Sequence, residues 1–459
     1  VKISLISNFC FLLSAFAMAS PSSIPRASSH NAGFSHAWRA LRGRNFRLFF
    51  SGQSISLIGT WMTRVATAWL VYQLTGSALL LGVVSFAGQI PTFLLAPFAG
   101  VMVDRSNKRY VLIATQVGAM VQSLALAVLT LGHWITIHEV LGLSVLQGLV
   151  NAFDMPVRQS FMVQMVDDRA DLSNAIALNS SMVNTARLIG PALAGLIIAA
   201  SSEGWCFLID GVSYIAVIAS LLMMRIQAPK VKRATTGMVT QMREGWEYVS
   251  GFRPLRTILL LFALMSLMGM PYMVLMPVFA TKVLHGGAHS LGFLMGAAGF
   301  GSLISALLLV LRRSVRGLLK MLPIASLVFG AGLIAFGTSH WMWLSLLLMV
   351  VTGFGMLLGL TTSNTIIQTL APEEKRGRVM SYYTMAFVGM APFGSLLAGA
   401  LAHWIGAPHT VQLTGAMCCL GGLWFLTQMP AVRREMRPVY EELGIVPVST
   451  VASQEGGVS

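Results

Sequence analysis

Charge is what this chain has least of. Only 10% of its 459 residues are Asp, Glu, Lys or Arg, against about a quarter in an ordinary soluble domain, and just 16 are acids. A water-soluble globule is thereby excluded. Cysteine is scarce too. Cys10, Cys206, Cys418 and Cys419 have neither metal-ligand nor redox spacing, and three lie in apolar stretches where a thiol acts as a small hydrophobe. No disulfide framework and no metal site are expected. The chain has no Gly-x-x-x-x-Gly-Lys-Ser/Thr loop and so no ATP site of that kind. It also lacks His-Glu-x-x-His and Gly-x-Ser-x-Gly, since "HEVLG" at 138 has no second histidine. Neither a cofactor nor an enzymatic activity is expected.

What is present is apolar: 55% of residues are hydrophobic. About twelve stretches of roughly 20 residues, each able to cross a hydrocarbon core of ~30 Å as a helix, can be marked off. They fall near 48–73, 77–103, 110–131, 135–155, 173–200, 205–224, 255–281, 290–311, 318–338, 341–366, 379–402 and 409–429. The expected fold class is an all-α membrane protein with 12 transmembrane helices in two six-helix bundles.

The net charge of +15 raises the question of nucleic acid. Lys and Arg instead recur in alternate loops, at 39–47, 105–109, 158–169, 225–256, 312–320, 375–378 and 433–437, and form no continuous stripe. The intervening loops hold only Lys282, together with Trp134, Trp205, Trp341, Trp343 and Trp404. Positive charge on one side and tryptophan on the other predict both termini in the cytoplasm and an aromatic belt outside. The expected partners are lipid, protons and a small molecule, without nucleic acid, for a monomer of the bacterial inner membrane. Seven of nine histidines fall at the tryptophan-bearing loops, where loop ends tolerate them readily.

Residues 1–46 read as an N-terminal extension, mostly disordered or cytoplasmic. Its apolar "ISLISNFCFLLSAFAMA" resembles a signal peptide, but export there would carry Arg39, Arg42, Arg44 and Arg47 outside. The bundles are expected over 47–224 and 255–430. Between them, 225–254 forms a cytoplasmic linker whose "QMREGWEYVSG" suits a short amphipathic helix, and 431–459 forms a cytoplasmic tail. A duplication is visible. "TGSALLLGVVSFAG" is echoed by "GGAHSLGFLMGAAG" about 210 residues on, and "LIGPALAG" by "GMAPFGSLLAG" about 200 residues on. Twin bundles around a cavity are a common build for alternating-access transporters.

"GVMVDRSNKRYVL", residues 100–112, resembles the loop motif between the second and third helices of the major facilitator superfamily. Gly100, Asp104, Arg105, Lys108 and Arg109 match, while Asn107 replaces a glycine and is expected to tolerate a left-handed backbone. The resemblance implies a conformational latch between the halves on the cytoplasmic side. "RRSVRGLLK" in the second half has lost the acid. The segments 151–195 and 372–399 resemble the bacterial branch that includes the enterobactin exporter and related siderophore or drug exporters. Gly190, Pro191 and Gly195 resemble the fifth-helix motif of proton-coupled antiporters, with Ala186 and Ala194 in place of two glycines. An ordinary kink is the plainer reading.

Charges inside apolar segments are the candidate substrate or proton sites. Arg187, Arg64 and Asp210 each need a partner in place of lipid. One reading pairs Arg64 with Asp210 structurally. The other has Arg64 and Arg187 drawing an anionic substrate while Asp210 exchanges protons. Asp154 and Arg158, four apart across Pro156, are expected at the cytoplasmic end of the fourth helix as a local ion pair or a proton-coupling site. Met265, Met268, Met270, Met273 and Met276 suit either packing or a tolerant pocket. Gln53, Gln89, Asn151, Asn364 and Gln368 are further polar groups within the segments. The reading is a proton-coupled exporter. Uptake of a nutrient is the alternative, with a transporter-like receptor or an intramembrane enzyme behind it.

Overall fold

The structure, a computed structural model, describes residues 38–104, 106–166, 168–225, 238–312 and 316–445. The signal-like stretch and Arg105 lie outside the described residues. The regular elements described are all helical. The first half comprises α1 (Arg44–Thr75), α2 (Ala78–Asp104), α3 (Lys108–Leu131), α4 (Ile137–Met165), α5 (Leu172–Ala200) and α6 (Glu203–Met223). A linker helix, α7 (Met238–Gly251), follows. The second half begins with α8 (Arg253–Leu264) and α9 (Tyr272–Val278), which form one crossing with wide π turns at Met265–Gly269 and Phe279–Val283. Then come α10 (Ala288–Leu311), α11 (Leu318–Thr338), α12 (Met342–Leu370), the broken pair α13 (Glu373–Val388) and α14 (Ala391–Ile405), and α15 (Ala407–Glu442).

Among the described residues, eleven spans are long and apolar enough to cross a membrane. The remaining long helix, α1, has 32 residues, or about 48 Å at 1.5 Å each. Its apolar character is diluted by groups turned into protein, such as Gln53 and Ser56, both buried. Counted with α1, each half has six long helical segments, eleven of the twelve meeting the length and apolarity of a span. Because crossings alternate in direction, Trp134, Trp205, Trp341, Trp343 and Trp404 share one end of the bundle, where all five are exposed, and the arginine-rich loops share the other.

Two local expectations, the end of the fourth helix and the backbone of Asn107, need correction, and the extension and the tail gain detail. The fourth helix does not end near 155 but continues through Pro156 to Met165, because Val157, Phe161 and Met165 extend a fully buried stripe at helical spacing. The extension is ordered from residue 38: one helical turn at Arg39–Arg42 docks through an Arg39–Asp171 ion pair and the Ala40 N–H donating to Asn174 Oδ1 at 3.0 Å. The tail begins as helix, since α15 runs on to Glu442 with Val432 and Met436 buried. Asn107 is extended, at φ −71°, and its side chain accepts from the Arg109 N–H at 3.1 Å, so it caps α3 instead of adopting a left-handed backbone.

Within the first half α2 packs on α4, α3 on α6, and α1 on both α5 and α6; within the second, α11 packs on α15 and α12, and α10 on α12. The halves meet chiefly through α5 against α10 and α2 against α14. Glycine makes both seams. A Cβ on Gly195 would lie 2.9 Å from Gly292 Cα and 2.8 Å from Ala288 O; one on Gly399 would lie 2.8 Å from Gly82 Cα and 2.9 Å from Ala78 O. Such backbone contact is how helices associate tightly where lipid removes the hydrophobic drive. The duplication is thereby visible as packing. Ala78 and Gly82 correspond to Ala288 and Gly292, 210 positions on, while Gly195 corresponds to Gly399. Each repeat unit pairs with the complementary unit of the other half. Both seams lie toward the tryptophan end.

Candidate substrate site

Beyond the α5–α10 seam lies a small pocket between the halves. It is lined by Trp61, Arg187, Pro191, Met273, Met295, Ala298, Gly299, Ser302 and Met356. The sequence order explains how Arg187 is presented. Proline has no N–H, so Pro191 leaves the Arg187 carbonyl without its helical donor four residues on. Gly299 of α10 backs onto that carbonyl, where a Cβ would sit 3.2 Å away. Gly190 lets α5 press on α1, since a Cβ there would meet Trp61 Cβ at 2.6 Å. The three motif residues thus have three contacts: Gly190 on α1, Pro191 at the pocket, Gly195 on the opposite half.

Arg187 and Arg64 converge on one indole. Their guanidinium carbons stand 5.2 and 4.7 Å from the centre of the Trp61 ring. Arg64, in the middle third of α1, keeps accessible area and meets the same ring as Arg187 from one helical turn away. The Arg187 Nε is buried without a hydrogen-bond partner among the described residues. Neither arginine has an ion pair among the described residues. A guanidinium at mid-membrane costs about 2.5–3.5 kcal/mol on insertion scales, and a cation–π contact returns about 0.5–2 kcal/mol. The balance falls to a ligand or to water.

Asp210 is not the partner of Arg64. It is 1% exposed, on α6 against α1, and its Oδ2 accepts from Thr63 Oγ1 and from Ser123 Oγ, each at 2.8 Å. Its Oδ1 has no hydrogen-bond partner among the described residues. Gly59 makes the room, since a Cβ there would lie 2.7 Å from that oxygen. Asp154 is also buried but differently held: Oδ1 accepts from Thr115 Oγ1 at 2.9 Å and Gln116 Nε2 at 2.6 Å, and Oδ2 pairs with Arg158. The local ion pair expected from sequence is therefore present.

The proposed latch is partly described. Arg109 donates from Nε to Leu221 O at 2.8 Å and from Nη2 to Leu222 O at 2.7 Å, closing the C-terminus of α6 within its own half. Gly100 and Asp104 complete α2 as backbone, and Lys108 opens α3. Of the other polar candidates, Gln89 reaches Ser395 across the second seam at 3.5 Å, Gln53 is buried, Asn151 accepts from Gln147 at 3.1 Å, and Gln368 donates to Asn364 at 2.5 Å. Met273 lines the pocket, whereas Met265 and Met276 are core. Sequence reading missed Trp61, Met295 and Met356 at the pocket, and Gly59, Thr63 and Ser123 around Asp210.

The profile of the transmembrane secretion effector family, within the major facilitator superfamily, matches residues 35–455. The chain belongs to this family. The transporter is 25% identical over 392 residues to the staphyloferrin A transporter of Staphylococcus aureus, covering 85% of this chain and 98% of that one. It is 27% identical over 373 residues to the multidrug efflux pump Tap of Mycolicibacterium fortuitum, covering 79% and 90%. Among solved structures, a bacterial homologue of the human lysosomal transporter Spinster superposes with a TM-score of 0.66 at 11% identity, over 90% of this chain and 99% of that one. The fold is that of the major facilitators, and the chain is a multi-pass secondary transporter.

Proposed function

We propose that the transporter is a proton-driven exporter of small organic molecules in the bacterial inner membrane, working as a monomer by alternating access. Arginine in alternate loops supports a cytoplasmic position for that end and for both termini. The glycine seams then close the outer side, and cargo enters from the cytoplasm to reach Trp61, Arg64 and Arg187. Gly100, Asp104, Arg105, Lys108 and Arg109 latch the cytoplasmic side when it shuts, with Arg109 anchoring that loop to α6. Gly190, Pro191 and Gly195 set the close approach of α5 to both neighbours, as in antiporters.

One observation carries the proton coupling. Asp154 and Asp210 are the acids placed well inside the crossings, and Asp154 is held by Arg158. Asp210 has hydroxyl donors and one unpartnered oxygen. A proton can bind and leave there without breaking an ion pair. Asp154 and Arg158 then serve to brace α3 against α4. Export is favoured by the likeness to the multidrug efflux pump Tap.

Deletion of the gene, with siderophores and drugs retained in cells measured with and without a protonophore, tests the reading. More cargo is retained in the deletion, and the difference vanishes when the gradient is collapsed. Unchanged retention together with lost uptake of a solute would make the transporter an importer.

A further inference from the structure

Counting charges within the crossings isolates one unbalanced pair. Residues 255–372 and 375–434 contain no Asp or Glu, so the second half brings no carboxylate to the cleft. In the first half Asp154 is bound to Arg158, Thr115 and Gln116, and Asp210 to Thr63 and Ser123. Arg64 and Arg187 remain as two cations on one indole, without a carboxylate among the described residues. Like charges held together repel, so the empty arrangement is the unfavourable one. Among the described residues the Arg187 Nε has nothing to donate to, and the hydroxyl of Tyr272, within electrostatic reach of Arg187, is also buried without a partner.

The opposite wall has another chemistry. The residue 209 positions after Arg64 is Met273, and Ile58 and Leu267, which stand 209 apart, take equivalent glycine contacts from Gly190 and Gly394. Where one half presents a guanidinium, its duplicate presents a thioether. Met295 and Met356 continue that wall. Methionine is polarisable and adapts its shape, so this surface accepts apolar bodies of varied outline.

Resting on the reading of this cleft as the substrate site, we infer that the transporter takes organic carboxylates with an apolar body. The carboxylate is gripped by the forks of Arg64 and Arg187 over Trp61, and the body lies against Met273, Met295 and Met356. A planar guanidinium suits a carboxylate through paired N–H donors, which a spherical halide cannot match.

Three probes with one ring system separate charge from shape: naphthoate, neutral naphthamide and cationic naphthylmethylammonium. The full chain, purified in detergent with no gradient, is titrated with each while its thermal unfolding is followed. Naphthoate raises the Tm saturably and the other two do not. Arg187→Gln weakens naphthoate by about tenfold or more, and Arg187→Lys recovers part of the loss by restoring charge without the fork. Should Arg187→Gln fail to fold, Arg64→Gln provides the same comparison. Equal shifts from all three probes, a shift from the cation alone, or no shift from naphthoate overturns the proposal. Naphthoate that binds but is not moved by a pH gradient in liposomes would instead overturn proton-driven export and leave the substrate class standing.

Discussion

Asp210 and Gly59 form one unit, and each tests the other. Asp210→Asn keeps the shape and an oxygen for Thr63 and Ser123 but removes the exchangeable proton. Gradient-driven transport should fall to background in liposomes while ligand-induced Tm shifts persist; full activity would make the carboxyl structural. Gly59→Ala leaves the acid in place but drives a methyl within 2.7 Å of Oδ1 and 2.9 Å of the Asp210 Cα. The neighbour across is backbone and cannot swing away, so the variant should lose about 1–3 kcal/mol of stability, read as a lower Tm in detergent. At this scale the sequence was half legible. A charge in an apolar run is conspicuous, so Arg64, Arg187 and Asp210 could be singled out. Their surroundings could not, because which side of α1 faces α6 is set by packing. The pairing of Arg64 with Asp210, suggested by similar depth, failed for that reason: Asp210 turns toward Thr63 and Ser123, and Arg64 toward Trp61.

Helices were legible wherever apolar length alone defines them, and less so where function interrupts the pattern. The polar cluster of Asp154, Pro156 and Arg158 imitates a helix end, yet α4 continues because the acid is satisfied inside and a buried stripe resumes beyond it. The linker helix was foreseen. Its seat on α13 was not: Trp246 meets Tyr382 at a tilt with centroids 5.7 Å apart, Lys375 lies 4.6 Å over Tyr248, and Glu244 pairs with Arg378. The seams make the sharpest prediction about elements. Gly195→Leu should force α5 from α10, since the nearest atoms are backbone of Gly292 and Ala288. Transport should be lost while helical content by circular dichroism is retained, and normal transport would show that this approach is dispensable.

At the scale of the molecule, the duplication organises both closure and asymmetry. Equivalent glycines build equivalent seams, while the cations and intramembrane acids stay in the first half. That division explains how a symmetric scaffold can present a cleft with one charged wall and one soft wall. Sidedness has its own measurement. Cysteine placed at Trp343, exposed among the tryptophans, should react with a membrane-impermeant maleimide on intact cells, and cysteine at Arg376, exposed at the opposite end, only after lysis. Cys206 and Cys418 are buried and Cys419 is half-buried, so labelling is read against the unsubstituted chain and against a variant without the native cysteines. The reverse labelling pattern would invert the proposed orientation.

The glycine seams have a further consequence for how the transporter responds to its medium. Contact there is backbone against backbone, with no charge for dissolved ions to weaken, whereas the Arg378–Glu244 and Arg39–Asp171 pairs at the other face are partly exposed and open to screening. Raising ionic strength should therefore speed trypsin cutting at Arg243 on the linker helix and leave maleimide reactivity at a cysteine replacing Ala78 unchanged. The molecule would then hold firm at one pole and slacken at the other in brine.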